Sequence, residues 1–317
     1  MKISFLFVGQ MLVSMIAVII ALYILDLKYL IENLQLISTI SIFTALILNL
    51  LSIYLMAWRW FWIEQGIKFN GSSNSVFTYF VASIYNLISP GNLGGDVYRF
   101  IALKSESLTP LILTGKIFRE RLAGLGSICL VGFVSLLLSS KDSFVYSDFY
   151  NLFLALGFLV SFVVLVFFFT PSFFINLFKP FFSLNNFKYF DNYFSGLKGG
   201  FKSNLIVLLI SVVAFLIRVT SVFVISNSMG MIIPFYIFVL VVSLVEVIRF
   251  VPISIQGIGI REALFAFFLT SYNLEIEASY ALGLVFYTLL SLSLLVIGIL
   301  GLVTLIIRKK KAHKLNY

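Results

Sequence analysis

The sequence predicts an all-α polytopic integral membrane protein, with about six full transmembrane helices and two re-entrant helical hairpins inserted from opposite sides. Three observations carry this: scarce charge, a series of apolar runs near twenty residues long, and two apolar regions broken by proline and glycine. Of 317 residues, 61% are hydrophobic and 11% charged, whereas a soluble domain carries about 25% charged residues. That balance argues against a soluble enzyme, a disordered chain or a nucleic-acid-binding module, even at a net charge of +9. In so apolar a chain, positive charge sets membrane orientation rather than gripping nucleic acid. No polar linker divides the apolar runs, so one transmembrane domain is expected over 1–317, ending in a basic cytoplasmic tail at 308–317.

About 20 apolar residues span the hydrocarbon core as a helix. Six stretches qualify: 4–25, 37–60, 122–140, 151–170, 204–225 and 278–307. The first follows Lys2 but exceeds a signal-peptide core and has no small-residue cleavage site before Asp26, so it reads as a retained anchor. Two further regions are interrupted. Residues 76–104 contain Ser89-Pro90-Gly91-Asn92-Leu93-Gly94-Gly95-Asp96, and 234–272 contain Pro252-Ile253-Ser254-Ile255-Gln256-Gly257-Ile258-Gly259. Such breaks strand backbone groups, tolerated at membrane depth only where protein or a wet cavity covers them. Each region reads as a re-entrant hairpin; if both cross fully, the count becomes eight spans.

Basic residues test this layout. With a cytoplasmic N-terminus, only Lys28 and Lys141 of the 22 basic residues fall outside, and Arg218, Arg249 and Arg261 lie within apolar segments. The rest face the cytoplasm, while external loops carry Asp26, Glu32, Asp142, Asp148, Glu275 and Glu277. This follows the positive-inside rule and places both termini in the cytoplasm, in the inner (cytoplasmic) cell membrane. The hairpins then enter from opposite sides, as paired broken segments do in the inverted repeats of transporters.

Cys129 is the one cysteine and His313 the one histidine, the latter in the lysine-rich tail. An intramolecular disulfide is impossible, and the residues for a zinc, haem or iron–sulfur site are missing. Neither a metal, a cofactor nor a catalytic residue is expected. Trp58, Trp60 and Trp62 flank Arg59 where an interfacial aromatic belt is expected. Lys116-Ile117-Phe118-Arg119-Glu120-Arg121-Leu122-Ala123-Gly124 reads as a positive-inside anchor, with a second reading as a lure for anionic headgroups.

The chemistry concentrates at the breaks. Charges at the bilayer centre cost about 2.5–3.5 kcal/mol on insertion scales, yet Asp96, Arg99, Glu246, Arg249, Arg261 and Glu262 cluster there. Asp96/Arg99 and Glu246/Arg249 are three apart, hence on one helical face. Two accounts stay open: these charges pair to pin the hairpins, or the arginines and nearby helix N-termini hold a phosphate.

Asn86-x3-Pro90-Gly91-x2-Gly94-Gly95-Asp96-x2-Arg99, Glu120-Arg121-x2-Gly124-Leu125 and Pro252-x-Ser254-x2-Gly257-x-Gly259-x-Arg261-Glu262-Ala263 together resemble the lysylphosphatidylglycerol synthase transmembrane family, also called flippase-like. Arg59-Trp60 is similar to that family's second-helix pattern. Gln256 departs from it, standing where the family has a glycine or small residue, so the second loop is expected to be tighter or differently bonded. The resemblance implies a domain that moves phospholipid between leaflets. A chain ending at Tyr317 is expected to lack the family's soluble aminoacyl-transfer part, and so not to synthesise the aminoacylated lipid itself.

The leading expectation is therefore translocation of an anionic lipid, phospholipid or lipid-linked precursor. The expected substrate-binding set is Asn86, Gly94, Gly95, Asp96, Arg99, Glu120, Arg121, Glu246, Arg249, Ser254, Gln256, Gly257, Gly259, Arg261 and Glu262, around one wet, arginine-lined chamber between the two breaks. No nucleotide-binding motif is present, so passive or ion-driven transport is expected. Membrane lipids are the expected partners, without nucleic acid; homo-oligomers and envelope-biosynthesis enzymes are candidate protein partners. The alternative is an integral-membrane glycosyl- or phosphotransferase using a lipid-linked substrate, with Glu275 and Glu277 holding a divalent ion as paired carboxylates do.

Overall fold

The computed structural model describes residues 5–65, 74–87, 89, 93–103, 109–139, 150–173, 193, 195–249 and 258–315, with backbone alone at 5–10, 22, 65, 74, 249 and 309–315. The regular elements among these residues are helices. In chain order they are α1 (Phe5–Ile24), α2 (Leu27–Gln35), α3 (Thr39–Gln65), α4 (Asn74–Leu87), α5 (Leu93–Leu103), α6 (Pro110–Leu138), α7 (Tyr150–Phe169), α8 (Phe201–Ser228), α9 (Phe235–Arg249), α10 (Ile260–Thr270) and α11 (Ile276–Leu315).

Among the described residues, five helices, α3, α6, α7, α8 and α11, are long and apolar enough to cross a membrane. Four coincide with predicted spans to within a few residues. The fifth, α6, starts at Pro110 rather than 122. Proline at a first helical position lacks only an N–H that has no intrahelical partner there, so the helix begins twelve residues earlier and carries Lys116 to Arg121 inside it. A short helix that the sequence reading missed, α2, starts where the Asp26 carboxylate accepts from Lys28 N at 2.9 Å. Each broken region forms two short helices, α4 with α5 and α9 with α10.

The longest helix, α11, is the spine. Its C-terminal half packs on α4, where Gly298 and Gly301 let Ile84 and Phe80 approach the backbone. Its N-terminal half packs on α10, where a Cβ at Gly283 would sit 2.9 Å from that of Phe265. Between apolar helices in lipid, close packing replaces the hydrophobic effect as the driving force, so small residues mark the crossings. The most extensive helix pair is α3 with α8, joined also by Ser52 Oγ donating to Ala214 O at 2.8 Å. Around α9 and α11 lies the main core, with Phe238, Phe265, Phe286 and Tyr287 fully buried. By contrast α7 buries little and turns Leu152, Leu156, Leu159 and Phe162 outward, as a lipid-facing helix does.

Candidate functional site

A chain of buried charges links four helices beside the first break. From α3, Arg59 donates through Nη2 to Glu120 Oε1 at 2.7 Å and through Nη1 to Ser211 Oγ of α8 at 3.0 Å. The second oxygen of Glu120, on α6, accepts from Arg99 of α5. Arg99 also binds Asp96 one turn back, and the other Asp96 oxygen accepts from Arg121 Nε of α6. Below Arg99 lie two rings, with its guanidinium carbon 4.3 Å from the centroid of Trp60 and 5.0 Å from that of Tyr79. Cation–π contact of this kind strengthens where water is excluded.

Side-chain exposure rises along this network, from 4% at Glu120 and 6% at Arg99 to 15% at Asp96 and 28% at Arg121. The open end is therefore the Asp96–Arg121 pair. Three guanidiniums, those of Arg59, Arg99 and Arg121, share the two carboxylates of Glu120 and Asp96. Satisfied on both oxygens, Glu120 stands where removing one partner would strand a buried charge, a far larger penalty than the pair's net worth.

The glycines at the first break serve local packing. Gly94 N donates to Ser89 Oγ and Gly95 N to Asn86 Oδ1, both at 2.8 Å, so the first turn of α5 is capped by the end of α4. A Cβ at Gly95 would lie 2.7 Å from Ala82 O, so a side chain there would push the two short helices apart.

A second cluster lies at the other break. Gly259 adopts φ +82 just before α10, a conformation that disfavours side chains. Its N–H donates to Glu262 Oε2 at 2.7 Å, while Glu262 Oε1 accepts from Arg261 Nε at 2.7 Å. Arg261 stacks 4.3 Å over the Tyr287 ring. Glu246 is buried on α9, and Arg218 reaches Met56 Sδ at 2.9 Å. The Arg249 side chain, Ser254, Gln256 and Gly257 lie outside the described residues.

Among the described residues, the charges beside the two breaks sit on different helices. α5 packs on α4 and α6, whereas α10 packs mainly on α11 and α9. On α11, Tyr287 under Arg261 and Gly298 against α4 are eleven residues apart, about 16 Å along the axis. Several contributors also escaped the sequence reading. Arg59 and Trp60 were assigned to an interfacial belt, yet both are buried in the network. Arg119 was read as an anchor and is buried against Ser203 and Asn204. Tyr79 and Ser211 carried no signal at all. The family-like Arg59-Trp60 pattern was the one available pointer. At the opposite end of the molecule, Glu277 Oε1 accepts from Asp26 N at 3.5 Å, and no group of three metal-ligating side chains occurs among the described residues.

Five helices long and apolar enough to cross a membrane among the described residues, further short apolar helices and clusters of buried, paired charges define a multi-pass helical membrane protein. The sequence model of the lysylphosphatidylglycerol synthase transmembrane region matches residues 7–301, nearly the whole chain. The chain belongs to that family, one related to lipid handling. No curated protein matches the sequence significantly.

Proposed function

We propose that the protein translocates an anionic lipid or lipid-linked precursor between leaflets of the cytoplasmic membrane, with both termini in the cytoplasm. The observation that carries this is the arginine-rich five-residue charge network, whose most exposed members are Asp96 and Arg121. A phosphate reaching that end meets Arg121, a planar donor suited to bidentate binding of its oxygens. The buried end formed by Glu120, Arg59 and Arg99 holds α3, α5 and α6 in register. Acyl chains would stay in lipid along the apolar outer faces.

The short helices fit the same reading. Over the 14, 11, 15 and 11 described residues of α4, α5, α9 and α10, each reaches about 16–23 Å, below the roughly 30 Å hydrocarbon thickness. Paired as re-entrant hairpins, they would allow one headgroup path from each side, the Arg261–Glu262 cluster serving the second. Reconstitution in liposomes tests this: fluorescent phosphatidylglycerol should exchange between leaflets faster than in protein-free vesicles, and Arg99→Ala and Arg261→Ala should slow it. Exchange no faster than in empty vesicles, across phospholipids and polyprenyl phosphates, would remove the proposal.

A further inference from the structure

Arg119 follows the network in sequence yet takes no part in it. It is 5% exposed, on the face of α6 turned toward the start of α8. Its Nε donates to Asn204 Oδ1 at 3.0 Å, and its Nη2 to the same oxygen at 2.6 Å and to Ser203 Oγ at 3.0 Å. Every acceptor is neutral. Among the described residues no carboxylate lies within ion-pair distance of Arg119, and its Nη1 makes no hydrogen bond. A buried cation without a counter-charge is costly and calls for an anion.

The surroundings add positive potential instead of cancelling it. Ser203 and Asn204 sit in the first turn of α8, the positive end of its dipole. Gly200 caps that end without a side chain, so the N–H groups of Phe201, Lys202 and Ser203 have no intrahelical partner. Lys198 and Lys202 are exposed in the same stretch. The seat is also rigid. Asn204 Nδ2 donates to Phe168 O at 3.2 Å and Gly199 O at 3.4 Å, which turns Oδ1 toward Arg119. Gly199 lies so close under the guanidinium that any Cβ there would overlap it.

We infer that Arg119, with the first turn of α8, forms a second anion site that takes a phosphate group, carried by a lipid headgroup or free in solution. Its two unused Nη1 hydrogens and the α8 amides without intrahelical partners supply the donors, and Lys202 raises the local anion concentration. The site is distinct from the Asp96–Arg121 opening and stands independently of translocation there.

Ligand binding to the delipidated full chain in neutral detergent tests this, read by native mass spectrometry and thermal unfolding. The probes are phosphatidylglycerol in mixed micelles, phosphatidylcholine in the same micelles, and inorganic phosphate. Wild type should bind phosphatidylglycerol at least tenfold more tightly than Arg119→Gln, with Arg119→Lys between them. Competition by inorganic phosphate would identify a free-anion site; its failure to compete would identify a lipid site. Gly199→Ala, which keeps the charge but unseats the guanidinium, should weaken binding in the same direction, and it decides the matter if Arg119→Gln does not fold. Equal binding by wild type, Arg119→Lys and Gly199→Ala, or no binding of any probe to wild type, would overturn the inference. Retained phosphate binding without leaflet exchange would remove only the translocation proposal.

Discussion

Replacing Glu120 by glutamine removes one charge and little volume, so it isolates what that carboxylate does. Its two oxygens accept from different arginines, Arg59 on α3 and Arg99 on α5. In Glu120→Gln both guanidiniums stay buried, and Asp96 becomes the one carboxylate shared by Arg99 and Arg121. Breaking a buried pair from one side costs about 3–5 kcal/mol, because the stranded charge keeps its desolvation penalty. At about 2–4 °C per kcal/mol for a chain of this size, the midpoint should fall by on the order of 10 °C. Thermal unfolding of purified protein in a neutral detergent, followed by tryptophan fluorescence, measures the shift directly. Pairing Glu120→Gln with Arg59→Met should recover part of the loss, since the second change removes one stranded charge. A midpoint within about 2 °C of wild type would refute the network as the element joining α3, α5 and α6.

Other perturbations separate packing from charge. Gly95→Ala drives a Cβ toward Ala82 O and Asn86 and should cost about 1–3 kcal/mol of stability, seen as a lowered midpoint in the same assay. Asn86→Ala frees Gly95 N and should cost about 0.5–2 kcal/mol, as other lost helix caps do. Trp60→Leu removes the ring beneath Arg99 and should destabilise more than Trp58→Leu, since Trp58 is 42% exposed; equal effects would contradict the burial of Trp60. In a Cys129→Ser background, a cysteine at position 311 should react with a membrane-impermeant maleimide only after cells are opened, whereas one at position 28 should react in intact cells. The reverse pattern would invert the assigned orientation.

How much the sequence disclosed depended on the range of the interaction. Apolar length is a local property, so α3, α7, α8 and α11 were legible from hydropathy alone, and the division of each broken region into two short helices was legible from residue type. Asp96 and Arg99 are one turn apart, so their pairing followed from helical spacing. The Arg59–Glu120 bridge joins residues on different helices, and no periodicity reports which cation on α3 meets which acid on α6. Arg59 and Arg119 were misread for a related reason: a cation near a span's end is ordinarily a solvated anchor, and only tertiary packing shows it buried. The helices that flank the breaks were no more legible in their packing: α5 meets α4 and α6, whereas α10 meets α11 and α9, and hydropathy carries no signal for either pairing.

Leaflet exchange by proteoliposomes carrying Arg121→Gln probes the open end of the network without touching its buried core. If that end receives the headgroup, the variant should unfold near the wild-type temperature yet exchange phosphatidylglycerol several-fold more slowly, with a smaller change for phosphatidylcholine. Wild-type exchange of phosphatidylglycerol by a folded Arg121→Gln protein would contradict the account.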